Sequence, residues 1–226
     1  MKAFLAMTVA ILFFTGCGRE EIELLTEQNA GLKSEAQGLK IALEKAKPAE
    51  ARMGELAEKL KGISARIFTN YGEIAVAFKP DKAPLHCLMF ITRAECGYYN
   101  NTQFHRVIKG FMIQGGDPHS KDKDPFNDGS GGPLVQIPHE FNEVHHGRGL
   151  LSMARVGSTE YGAGSQFFIM HGDNASLDRQ YTVFGEVTQG MDVVDKIAEA
   201  PVEKKDSRRM DHPIQPVIIQ RIDVFR

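Results

Sequence analysis

At 226 residues the chain is long enough for one sizeable core plus an appendage, and 42% apolar with 25% charged residues is the balance of a globular protein. Its 27 basic side chains against 29 acidic ones leave a formal charge of -2, without the basic excess that a phosphate backbone selects, so no nucleic-acid partner is expected.

The first element departs from that average. Lys2 precedes an apolar run from Ala3 to Phe14, and Thr15, Gly16 and Cys17 follow. A charged start, a short greasy run and small residues are the grammar of an export signal, and the run falls short of the ~20 residues that span a bilayer. An uncleaved anchor stays open as the alternative. The small pair before the cysteine resembles a bacterial lipobox, with Phe14 standing where leucine is usual. That resemblance implies a signal over 1–16, a lipid on Cys17 and anchorage to a membrane of the cell envelope; stable anchoring takes more than one acyl chain. Gly18, rather than aspartate, favours the outer membrane and its periplasmic face, with the cell surface as alternative.

Residues 17–63 form the second region. From Glu20 to Gly62 there are no Phe, Trp or Tyr residues until the next region, and Glu, Lys, Ala, Leu and Gln dominate, which is helical composition. Ile22, Leu25, Asn29, Leu32, Ala36, Leu39, Leu43 and Ala46 alternate in steps of three and four, the seam of a coiled coil, where Asn29 would set register. Gly31, Gly38 and Pro48 weaken that seam. The two readings are a helical spacer of about 37 Å and self-association through residues 22–46.

Beyond Ser64 the pattern turns to strands and turns, giving a third region over 64–226. Ala65 to Phe78 reads as a hairpin around Asn70-Tyr-Gly-Glu73. Pro84 to Cys96 reads as a helix opened by proline and closed at Gly97. Its nine-residue Cys87–Cys96 separation spans roughly 13 Å, too far for a disulfide, so both are expected as buried or half-buried thiols. Short strands are expected at Phe104–Ile108, Phe111–Gln114, Leu150–Ala154, Gln166–Met170, Val183–Val187 and Val217–Phe225, a polar surface loop at Lys121–Gly132, and a helix at Met191–Ala198. Many short strands with two helices point to a mainly β antiparallel barrel or sandwich.

Two segments alternate glutamine, arginine and aromatics where a plain core would be aliphatic: FHRVIKGFMIQGGD (Phe104–Asp117) and GSQFFIM (Gly164–Met170). With DKAP at 81–84, GSGGP at 129–133, LSMAR at 151–155 and VFGEV at 183–187, they resemble the cyclophilin family in order across about 160 residues. The resemblance implies an eight-stranded antiparallel β-barrel capped by two helices, and a peptidyl-prolyl cis-trans isomerase that needs no cofactor and no metal. It implies catalytic roles for Arg106, beside the prolyl nitrogen, and Gln114, which orients it. Phe111, Met112, Phe168 and Leu177 would wall the proline pocket. Gln166 and the backbone at Ala154 and Arg155 would hold the substrate main chain, and His105 and Tyr181 would stand at the rim. Taken singly, these apolar residues read as core and Arg106 as a surface charge; the combination carries the assignment.

Departures from the family pattern bear on specificity. Ser176 stands in place of tryptophan, so weak cyclosporin binding is expected; Tyr181 replaces histidine, Lys109 replaces proline, and the loop from Val156 to Ala163 is about two residues longer than usual. The expected partners are proline-containing polypeptides, in exported or envelope proteins that need help folding. A tethered proline-peptide-binding or chaperone module with little turnover is the alternative. His139, His145, His146 and His171 match no metal-ligand spacing, and Gly164-Ser-Gln lacks the nucleophile elbow of a hydrolase.

Overall fold

A computed structural model of the protein describes residues 31–32, 36–38, 48–155 and 162–226. The expected signal, Cys17, most of the 22–46 seam and the lengthened loop from Val156 onward lie outside these residues. Compactness divides the chain into a unit of residues 1–52 and a unit from Met53 to Arg226. In the first, residues 31–32, 36–38 and 48–52 are helical. In the second, helix continues through residue 60 and hands Leu56, Leu60 and Ile63 to the same core as the strands. Residues 53–63 are thus grouped by compactness with the strands that open at Ser64. Arg226 ties its end back to this helix by donating from Nη2 to the Lys59 carbonyl at 2.6 Å.

Among the described residues nine strands form one antiparallel sheet. They are β1 (Ser64–Thr69), β2 (Gly72–Phe78), β3 (Thr102–Gln103), β4 (Arg106–Ile108), β5 (Met112–Gly115), β6 (Leu150–Arg155), β7 (Ala163–Met170), β8 (Thr182–Gln189) and β9 (Ile218–Phe225). The hairpin β1–β2 turns at Asn70-Tyr71, where the Thr69 hydroxyl donates to the Gly72 carbonyl at 2.8 Å. Across the sheet the order is β3-β9-β1-β2-β8-β6-β7-β5-β4. Its two outermost strands, β3 and β4, are separated in the chain only by Phe104 and His105. So short a link spans at most about 11 Å, so the sheet must curl until its ends meet. Backbone bonds from Phe104 N to Val217 O and from Val107 N to Asp211 O, 2.8 and 2.9 Å long, run along this join. The count exceeds the expected eight because two-residue β3, too short for any periodicity to reveal, pairs with the start of β9.

Beside the helix that ends at residue 60, two further helices among the described residues pack on the sheet: α1 (Pro84–Glu95) and α2 (Met191–Ala198). Ala83 cannot cap α1 with its side chain, so the Glu140 carboxylate does so from a distant loop, accepting from Leu85 N at 3.0 Å and His86 N at 2.9 Å. Such a bond satisfies donors that a helix start leaves open. Cys87 is buried and its thiol, donating to the Phe184 carbonyl at 3.3 Å, is pushed up to about 12 by desolvation. Cys96 departs from expectation: as the residue that ends α1 it is exposed. Lys121–Gly132 is likewise more than a solvated loop, because Phe126 sits beneath the guanidinium groups of Arg208 and Arg209 at 4.4 and 5.2 Å from its ring centre.

Phe90 on α1 is the hub of the core, with ring centres of Tyr99, Phe167, Phe184 and Phe78 at 5.0, 5.2, 5.4 and 5.6 Å. Truncating a fully buried phenylalanine removes its transfer energy and leaves a cavity. Phe90→Ala is expected to cost about 3–5 kcal/mol of unfolding free energy, measured by urea denaturation; a loss below about 1 kcal/mol would contradict this role.

Candidate active site

Strand pairing, not sequence proximity, assembles the site. Register places Arg106 of β4 opposite Gln114 of β5, and Gln114 in turn opposite Phe168 of β7. Arg106 is exposed, and its Nη1 donates to Gln114 Oε1 at 3.5 Å. Gln114 Nε2 donates to Gln166 Oε1 at 2.9 Å, and Gln166 Nε2 donates to the carbonyls of Gly129 and Gly131 at 2.9 and 2.8 Å. A chain of bonds thus leads from the glycine-rich 129–133 loop to the arginine.

Beside Arg106 lies a cavity of about 130 Å³, walled by Phe111, Met112, Ala154, Phe168, Leu177 and Tyr181, with Gln114 and Arg155 at its edge. Met112, Phe168 and Met170 form a buried apolar cluster separate from the main core, on the opposite face of the sheet. Tyr181 stands edge-on to Phe168 at 5.6 Å, and Arg155 lies 4.8 Å over the Tyr181 ring while its Nε donates to the Gln180 carbonyl at 2.9 Å. The volume suits a small ring, and the walls are aromatic and thioether. A wider concavity of about 370 Å³ opens next to it, sharing Gln114, Ala154 and Arg155 and lined also by the 129–133 loop and Gln166. Gly116 makes the close approach behind this loop possible: its φ is 84°, and a Cβ there would meet the Ser165 carbonyl at 2.7 Å.

The structure therefore brings Arg106, Phe111, Met112, Gln114, Ala154, Arg155, Phe168, Leu177 and Tyr181 to one cavity, with Gln166 one hydrogen bond away. His105 is different. It is 6% exposed, lines a neighbouring concavity rather than the apolar one, and neither of its buried ring nitrogens has a partner among the described residues. With Phe104 it forms the two-residue link from β3 to β4.

Beneath Phe168 is a set of residues that spacing did not single out. His146 stacks on the Phe168 ring at 6.2 Å, its Nδ1 lies 3.0 Å from Asp178 Oδ1 and its Nε2 lies 3.1 Å from Ser152 Oγ. The arrangement looks like a nucleophile relay, but Ser152 and His146 are wholly buried and no substrate can reach them. Their role is to prop the pocket floor. Among the other histidines, His145 Nδ1 shares Asp178 at 2.8 Å, His139 stacks on Phe141 at 4.6 Å, and His171 Nδ1 accepts from Gly110 N at 2.8 Å.

Residues 64–224 match the family described as cyclophilin type peptidyl-prolyl cis-trans isomerase/CLD. The chain is 43% identical over 166 residues to peptidyl-prolyl cis-trans isomerase-like 2 of Rhizopus delemar, a match covering 71% of this chain and only 28% of that protein. It is 40% identical over 167 residues to peptidyl-prolyl cis-trans isomerase-like 3 of Dictyostelium discoideum, covering 72% of this chain and 95% of the relative. Among solved structures, a cyclophilin type isomerase of Cryptosporidium parvum, crystallised in the presence of the dipeptide Ala-Pro, superposes with a TM-score of 0.64 at 33% identity, covering 72% of this chain and 99% of the other.

Burial holds both His105 and His146 below the ordinary imidazole range, His146 despite its carboxylate neighbour. A neutral His146 with its proton on Nδ1 donates to Asp178, while Ser152 Oγ, 3.1 Å from its Nε2, donates to the Thr182 carbonyl at 2.9 Å. Groups whose folded values are depressed contribute stability above their unfolded value of about 6.5 and lose it as pH falls towards the folded value. His145, exposed and raised by its bond to Asp178, acts in the opposite direction but is screened by water. Unfolding free energy is therefore expected to fall between pH 7 and pH 5, and to fall less in His146→Asn. Urea titrations at stepped pH measure it; a flat or rising profile towards acid contradicts the neutral, buried histidines.

Proposed function

The chain belongs to the cyclophilin-type peptidyl-prolyl cis-trans isomerase family, and on that premise we propose that it catalyses rotation about X-Pro bonds in exported or envelope polypeptides and so assists their folding. The observation that carries this reading is the pairing of Arg106 and Gln114 at the edge of a proline-sized apolar cavity.

Resonance sets a barrier of ~18–20 kcal/mol to rotation about a peptide C–N bond. At the twisted midpoint the prolyl nitrogen loses conjugation and gains a lone pair. A guanidinium that donates to that nitrogen therefore favours the transition state over either planar isomer. Gln114 holds one arm of the Arg106 guanidinium fork while the other remains available to substrate. Phe111, Met112, Phe168 and Leu177 grip the ring, so that rotation is confined to the acyl side. Stabilising the twist by about 6 kcal/mol yields roughly a ten-thousand-fold acceleration, with no covalent step.

The export reading rests on Lys2 to Cys17. In it a lipid on Cys17 holds the protein to a membrane of the envelope, on the periplasmic face or cell surface, and residues 22–46 serve as a spacer, with self-association along their seam as the alternative use. Ser176, exposed, next in sequence to the cavity residue Leu177 and bonded to Asn174, offers cyclosporin little apolar surface, which supports weak binding.

Arg106→Ala is expected to lower kcat/KM on an Ala-Pro peptide about 100- to 1,000-fold, measured by exchange NMR, with peptide affinity changing far less. Wild-type binding without faster exchange would overturn the isomerase and leave a binding module. Mass spectrometry of the full chain from a bacterial host should find the acylated species on Cys17 and lose it in Cys17→Ser; an unmodified, uncleaved N-terminus would overturn the anchor.

A further inference from the structure

A third concavity, of about 350 Å³, adjoins the apolar one and extends from Arg106 and Gln114 to residues that the isomerisation chemistry does not use. Arg106, Arg155, Arg208 and Arg209 line it, against Asp128 as the one carboxylate among the described residues that do so. Asp128 is turned into the protein: its side chain is 5% exposed and held at 2.8 Å by His212 Nε2. His105, buried with both ring nitrogens unpartnered among the described residues, forms part of the same wall.

The distal arginines are held in place. Ser207–Arg209 is a single 3-10 turn whose start is capped by the Asp206 carboxylate, which accepts from Arg208 N at 3.0 Å. Both guanidinium groups rest on the half-exposed Phe126 ring, at 4.4 and 5.2 Å. Glu203 and Asp206 pair with them at 3.4 and 3.3 Å but do not line the concavity. Ordering these long side chains beforehand removes much of the entropy that an ion pair normally costs. Planar donors arranged around a cleft are suited to carboxylate or phosphate.

Position gives the cleft its meaning. Arg106, Gln114 and Arg155 belong to both this concavity and the apolar cavity. A polypeptide with proline in the apolar cavity, advancing ~3.3–3.6 Å per residue, reaches the arginines within a few residues.

We propose that this concavity is a subsite for an anionic side chain of the substrate, a carboxylate or a phosphate, borne a few residues from the isomerised proline. The assignment rests on the isomerase reading for its substrate and on the arginine geometry for its selectivity.

The test uses the full chain and peptides with one Ala-Pro bond, in which glutamate, phosphoserine, glutamine or lysine is walked through the three positions on either side. Exchange NMR gives turnover and chemical-shift titration gives affinity. At one of these positions the glutamate peptide is expected to exceed the lysine peptide about 10-fold in both readouts, with glutamine between them. Raising the salt concentration should shrink the ratio in the wild type, and in R208Q/R209Q it should fall to about one. Phosphoserine ahead of glutamate identifies phosphate as the preferred group; the reverse order identifies carboxylate. Equal turnover and equal affinity for glutamate and lysine at every position overturns the subsite. Absence of turnover on all peptides would defeat the isomerase reading alone, because the affinity order still decides the subsite, and the salt series decides it should the double variant fail to fold.

Discussion

The site depends on a one-residue change of phase where the sheet closes. Thr102 and Phe104 point into the barrel, and strict alternation would send Arg106 after them. His105 is the extra residue. Beyond it Val107 joins the main core while Arg106 stands on the outer face. Closure of the barrel and exposure of the arginine are thus one event: the same two residues join the sheet's ends and reset its parity.

That reset lets one sheet serve two apolar compartments. In β7, Phe167 and Ile169 belong to the main core and Phe168 and Met170 to the outer cluster. In β5, Ile113 goes inward while Met112 and Gln114 face out. The outer cluster is small and completed by the half-buried rings of Phe111 and Tyr181, which leaves a cavity open where a larger side chain would have filled it. The floor is stiffened by polar means instead, through Ser152, His146 and Asp178. A buried polar network of this kind holds geometry only when its members are satisfied.

The alternating strands and both barrel helices were readable from periodicity and from proline and glycine punctuation. So were the cavity residues, because glutamine and arginine interrupt apolar strands at Arg106, Gln114 and Gln166 in a pattern that a core has no use for. What escaped was non-local. The β3–β9 pairing rests on two residues, the carboxylate at the start of α1 comes from Glu140, and the packing of residues 53–60 shows only against strands distant in the chain. The parity change at His105 has no signature in hydropathy, since His, Arg and Val follow one another without a break. Arg208 and Arg209 belong to no motif in the sequence, and Phe126, the ring beneath them, lies some eighty positions earlier.

The hydrogen bonds between the 129–131 loop and Arg106 also have a direction. Two backbone carbonyls can only accept, so the amino group of Gln166 must face them and its carbonyl must face Gln114. Gln114 is thereby compelled to present its own oxygen to the guanidinium. Neither amide can flip alone without setting like against like, and a glutamate at 166 would invert nothing but would confront two carbonyls with an acceptor. The orientation of the arginine is therefore written into the peptide polarity of a loop two hydrogen bonds beyond Gln114, a one-way circuit whose sense is decided at Gly129 and Gly131.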